Sequence, residues 1–160
     1  MQRIILILSV LIIGVGCKNK NEEIQFNESV VTHFSEFSKS LASEMEVIKN
    51  SEDSITKIEA IEQLEQATNK ALKEIEQLKT PATGVEYHNA VIHVLQTVKD
   101  TYIPANKEFI YLHSDSTDSE QDNLMVNKIN EISKKIRMDV TEAQDRQKEF
   151  SEKINSKLTK

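Results

Sequence analysis

The sequence runs to 160 residues with a formal net charge of −6, and its aromatic content is 5% with no tryptophan. An acidic balance gives no global invitation to nucleic acid, whose binding requires clustered cations, and the shortage of rings argues against platforms that stack sugars or bases. Three glycines and two prolines are too few for the turns that sheets and barrels need every ~8–12 positions, so the expected fold class is all-α.

Arg3 leads into residues 4–13, apolar except for Ser9, which run on into Gly14-Val15-Gly16-Cys17. A charged lead, about a dozen apolar residues and small residues before a cleavage point make the pattern of a secretory signal. The run falls short of the ~20 residues a membrane-spanning helix needs. Cys17 is the sole cysteine. Exported proteins favour even cysteine counts, and lipidation would consume the odd thiol. The segment resembles the lipobox of bacterial lipoproteins: Gly16 and Cys17 match its last two positions, Val15 fits the one before, and Gly14 stands where leucine is usual. That resemblance implies cleavage of residues 1–16, lipidation of Cys17 and a short polar tether over 17–22. Lys18, rather than aspartate, after the cysteine favours the outer membrane under the sorting rule of such lipoproteins, on either of its faces. A plain secretory signal is the competing reading.

The remainder, residues 23–160, is the size of one domain with its own core. A first helix is expected over 23–50, where Val30, Phe34, Phe37, Leu41, Met45 and Ile48 recur at threes and fours. Ser51 to Ser54 supply a turn and a cap. A second helix over 54–78 carries Ile55, Ile58, Ile61, Leu64, Ala71, Ile75 and Leu78 on its apolar side. Pro81 and Gly84, the latter the one glycine beyond Cys17, mark the clearest loop. A third helix over 85–113 is built on Val91, Leu95, Val98, Tyr102 and Phe109, with Pro104 inside the pattern, where it should kink the helix. After a polar loop in which Thr117 and Glu120 have capping-box spacing, a fourth helix over 118–157 repeats Met125, Ile129, Ile132, Ile136, Val140, Ala143, Phe150 and Ile154. Glu131 with Lys135, Glu142 with Arg146 and Glu149 with Lys153 are expected i,i+4 pairs on its wet side. Short loops between stripes of similar length close most simply as an antiparallel up-down-up-down four-helix bundle, with the third helix kinked at Pro104.

Charge is uneven: residues 22–127 hold 20 acidic and 8 basic side chains, and residues 128–160 hold 9 basic and 6 acidic. A cationic last helix beside acidic neighbours accounts for this, each surface pair being worth little. The alternative, a basic face for an acidic partner or anionic lipid, has less support.

Motifs that carry chemistry are missing. One glycine beyond Cys17 leaves no room for a nucleophile elbow, a phosphate loop or a dinucleotide fingerprint. The residues three before His33, His88, His93 and His113 are Val30, Val85, Ala90 and Ile110, so the Glu-x-x-His pairs of di-metal bundles do not occur. His88 and His113 fall on the third helix's stripe, His93 on its wet face and His33 at the edge of the first stripe. His33 and His88, each early in its helix, would approach each other in a parallel first and third helix. A ligand or metal site there competes with two histidines hydrogen-bonded at the rim of the core. Asp115, Asp118, Glu120 and Asp122 lack the glycine and spacing of a calcium loop and read as solvated. The kink beside Tyr102 and Phe109 is the other place for an apolar ligand, though aromatic residues at helical spacing are usually core.

A lipobox, four amphipathic stripes, and Thr80-Pro81-Ala82-Thr83-Gly84 leading into Tyr87 and Ala90 resemble small four-helix surface lipoproteins of bacteria, which supply no catalytic motif. The expected function is therefore a non-enzymatic, membrane-anchored monomer, without cofactor, whose bundle makes protein contacts. An envelope bundle that binds or senses a ligand or metal, through His33, His88, Tyr102 or Phe109, is the second reading.

Overall fold

The structure, a computed structural model, describes residues 22–115 and 119–158. Within them the chain is all helical, without strands: α1 (Glu22–Asn50), α2 (Ser54–Glu76), α3 (Val85–Thr97), α4 (Ile103–Asp115) and α5 (Ser119–Leu158). Residues 1–21, which hold the expected signal, Cys17 and all of the expected tether but Glu22, lie outside the described residues. So do the loop holding Thr117 and Asp118, and the side chains of His113, Asp115 and Asp122.

Local chemistry explains the boundaries. Glu22 and Glu23 open α1 and Lys49 closes it, each charge set against the end of the helix dipole it favours. Asp53 caps α2, its Oδ2 accepting from the Thr56 amide at 2.8 Å and the Thr56 hydroxyl at 2.6 Å. Those two donors, the hydroxyl first, hold the Asp53 carboxyl below its ordinary range. α2 stops at Glu76, slightly before its expected end. The chain then turns through Pro81, whose carbonyl accepts from the Gly84 amide at 2.8 Å, into a short 3₁₀ turn, Ala82–Gly84.

The expected third helix is continuous from α3 to α4 through one π turn, Val98–Tyr102. There the Ile103 amide reaches back to the Val98 carbonyl, one residue further than an α-helical bond. Pro104 follows at once and has no amide to give. The extra residue in the turn moves the inward face along by one: Ile110 is buried, whereas Phe109, expected on the stripe, is only half-buried.

The core is drawn from all the helices. Phe37, Leu64, Ile75, Val91, Leu95, Val98 and Ile136 are among its most enclosed members. Thr68, fully enclosed in α2, satisfies its hydroxyl by donating to the Leu64 carbonyl at 2.6 Å. Two expectations for α2 are corrected. Ile55 and Ile58 are exposed, and the buried stripe begins at Ala60 and Ile61, because, counted back from the Glu65–Lys107 pair, the two isoleucines fall at and past the last turn of α4.

Ion pairs record which parts of the helices are neighbours. Glu22 meets Lys79 at 2.9 Å, Glu36 meets Lys70 at 3.4 Å, and Glu65 meets Lys107 at 2.6 Å. Glu86 meets Arg146 at 3.6 Å and Glu108 meets Lys128 at 3.5 Å. Being exposed, they mark position more than they stabilise. On α5, Lys135 turns to Asp139 at 2.7 Å, not to Glu131. Arg146 binds Glu149 at 3.1 Å as well as Glu86 on α3, not Glu142. A partner across the helix interface or one turn on outcompetes the expected i,i+4 carboxylate.

Candidate functional site

The histidines singled out from the sequence occupy separate surroundings. His88, on α3, lies against Phe26 with ring centroids 6.1 Å apart, and its Nε2 is 3.2 Å from the Ile75 carbonyl. That contact calls for the Nε2–H tautomer and uses the nitrogen as a donor. His33, half-buried on α1, lines a shallow depression of about 190 Å³ with Glu36, Phe37, Ala67, Lys70 and Ala71. It stands two turns, ~10 Å of helix rise, beyond Phe26, so the two imidazoles do not share a site. No group of three or more metal-ligating side chains occurs among the described residues.

Tyr102 belongs to the core. It is buried beside Asn106, whose side-chain amide donates to the Tyr102 carbonyl at 2.8 Å, and burial pushes its phenol up to about 12. Phe109 lies half-buried beyond the π turn. The Phe26, Tyr87 and Phe150 rings pack together near the start of α1, with centroids 5.7 to 6.3 Å apart.

One polar constellation was not legible in the sequence. His93 and Thr97 on α3 meet Lys135 and Asp139 on α5. Lys135 Nζ donates to Asp139 at 2.7 Å and to His93 Nε2 at 3.1 Å, and the Thr97 hydroxyl donates to Asp139 at 3.3 Å. Each half is an i,i+4 pair that the sequence does hold; nothing in it says that the halves face each other. Their polar atoms are engaged with one another, which makes the group an interhelical clasp.

Exposed apolar side chains are the other notable feature. Tyr111 in α4 is 73% exposed, Ile55 in α2 is 67% and Leu124 in α5 is 66%, with Ile58 and Val126 also exposed. Two more, Val85 and Met138, lie elsewhere. Along α5, Met125, Ile129 and Ile132 are half-covered, and the first buried stripe residue is Ile136. Lys107 ties α4 to α2 at Glu65, and Lys128 ties α5 to α4 at Glu108. Ile58, Tyr111, Leu124 and Val126 therefore lie within about two turns of these bridges.

No protein-family model matches the chain, and neither the curated proteins nor the solved structures contain a significant match to it. Function rests on the residues alone.

Proposed function

We propose that the chain is an exported, lipid-anchored envelope protein that acts by protein contact and catalyses no reaction. Residues 1–16 would be the cleaved signal, Cys17 the lipidated residue and 17–22 the tether, with the outer membrane the favoured location. The domain over 23–160 is taken as an antiparallel up-down-up-down four-helix bundle, in which α3, the π turn and α4 make one helix kinked at Pro104. The order of the ion pairs supports the arrangement. Glu22 with Lys79 and Glu36 with Lys70 run in opposite senses along the chain, as do Glu86 with Arg146 and Glu108 with Lys128. A π turn followed by proline is a recognised place for a helix to bend.

The observation that carries the contact role is the exposure of Ile55, Ile58, Tyr111, Leu124 and Val126, large apolar side chains in the turns that flank the α1–α2 and α4–α5 junctions. In the antiparallel arrangement the α1–α2 and α4–α5 junctions share the end remote from Glu22 and the anchor. Exposed apolar residues scattered singly mean little, whereas neighbours such as Ile55 and Ile58, three apart on one helix, mark interaction surfaces. A ligand-binding reading through His33 and His88 draws no such support, since the two lie apart.

Two measurements on intact cells test this. An alkyne palmitate analogue should label the wild type and not Cys17→Ala, which should leave the membrane fraction. A photo-cross-linking residue at Leu124 should capture a neighbouring protein, while one at Glu142, on an exposed middle turn of α5, should not. Absence of labelling would refute the anchor, and equal capture at both positions would refute the contact site.

A further inference from the structure

We propose that His93 on α3 and Asp139 on α5 bind a divalent transition-metal ion such as zinc, in the place that the Lys135 ammonium holds between them. The site is separate from the contact surface above and does not depend on it.

Acceptors from two helices converge on one cation. Lys135 Nζ stands 2.7 Å from Asp139 Oδ2, 3.1 Å from His93 Nε2 and 3.5 Å from Thr97 Oγ1. An ammonium carries donors only, so its contact with His93 calls for a lone pair on Nε2, the form in which imidazole ligates a metal. His93 Nε2 and Asp139 Oδ2 are 3.5 Å apart. Two ligands ~2.0–2.1 Å from a tetrahedral zinc stand ~3.3 Å from each other, so this pair has only to close slightly around an ion. The Asp139 side chain is 12% exposed, and the Thr97 hydroxyl donates to its Oδ2 at 3.3 Å. That is the outer-shell hydrogen bond which orients a ligating carboxylate. The His93 side chain is 56% exposed and leaves the outer side to water, which completes the coordination.

The donor set selects the class of ion. Calcium and magnesium want several oxygens, whereas one imidazole with one carboxylate suits zinc, copper or nickel. Two protein ligands make a weaker site than the three or four of dedicated zinc centres. Lys135 has to leave, and its long stem allows that. Glu131, four residues back on α5 and exposed, offers the ammonium a carboxylate in the favoured i,i+4 order. The pair expected from the sequence would then form when the ion is bound. Because its ligands come from different helices, the ion would tie α3 to α5 more firmly than a half-exposed lysine does.

The test titrates zinc chloride into the full-length protein in a neutral maltoside detergent and follows uptake by calorimetry. The wild type should take up zinc at this site, and His93→Ala and Asp139→Asn should each weaken the binding by about tenfold or more. Thr97→Val should weaken it by about tenfold, as loss of an outer-shell partner does. Lys135→Gln separates a metal site from a clasp alone. With the resident cation removed, zinc should bind about tenfold tighter, a gain that no damage to the fold imitates. A clasp alone predicts a lower urea midpoint for this variant and no change in uptake. His33→Ala combined with His88→Ala should leave zinc binding unchanged. No uptake at millimolar zinc, uptake indifferent to His93→Ala, uptake lost with His33 and His88, or unchanged or weaker uptake in Lys135→Gln each overturns the proposal.

Discussion

Gly84 is where a single residue most clearly governs the packing. A Cβ there would lie 2.9 Å from Phe26 Cε1, 3.1 Å from Pro81 Cγ and 3.3 Å from Phe150 Cε2. Its φ of −98° is open to any L-residue, so the demand for glycine comes from space. The nearest ring is not free to swing aside, since Phe26 is buried and stands edge-on to both Tyr87 and Phe150. Gly84→Ala should therefore cost about 1–3 kcal/mol, the usual penalty of overpacking, seen as a lower urea midpoint at unchanged slope. An unshifted midpoint would mean that the rings relax freely. The loop was legible from Pro81 and Gly84 as punctuation. The crowding was not, because Phe26 and Phe150 come from distant parts of the sequence and no local pattern brings them to one glycine.

At the level of elements, the threes and fours of the apolar residues identified the helices and most of their inward faces. Periodicity carries that much because a helix must hide one stripe. It fails in two informative places. Beyond the π turn, the strict pattern points to Phe109, yet the additional residue in Val98–Tyr102 turns Ile110 inward instead. A wide turn spends residues without breaking the apolar rhythm, so the sequence does not announce it. Ile110→Ala should accordingly destabilise by about 2–5 kcal/mol and by more than Phe109→Ala, although phenylalanine is the larger side chain. The reverse order in chemical denaturation would place the register back on an unbroken α-helix. The second failure is at Ile55 and Ile58, which are in phase with the rest of α2 and still exposed. Phase tells which face of a helix is apolar; it does not tell whether a neighbour reaches far enough to cover it.

Those local departures add up to a gradient across the whole molecule. Near the start of α1, the buried Phe26, Tyr87, Phe150 and Ile154 fill the interior. Towards the α1–α2 and α4–α5 junctions the cover thins: α2 has no buried residue before Ala60, and the described side chains of α5 have none before Ile136. Local opening follows the density of buried apolar contacts, so the free energy of exposing an amide should fall along the same direction. In native-state hydrogen exchange, amides of residues 54–60 and 119–132 should open at lower cost than those of residues 87–95 and 140–154. Fraying alone would loosen every helix terminus alike, which makes the turn around Phe26 in α1 the proper control. If that turn exchanged as readily as residues 119–132, the gradient would be an end effect. If residues 119–132 proved as protected as the Phe150 region, the apolar stripe of α5 would already be covered and the proposed contact role would lose its basis. Under the expected gradient the ring-packed turns are the ones that hold the helices together, and the thinly covered turns the first to open.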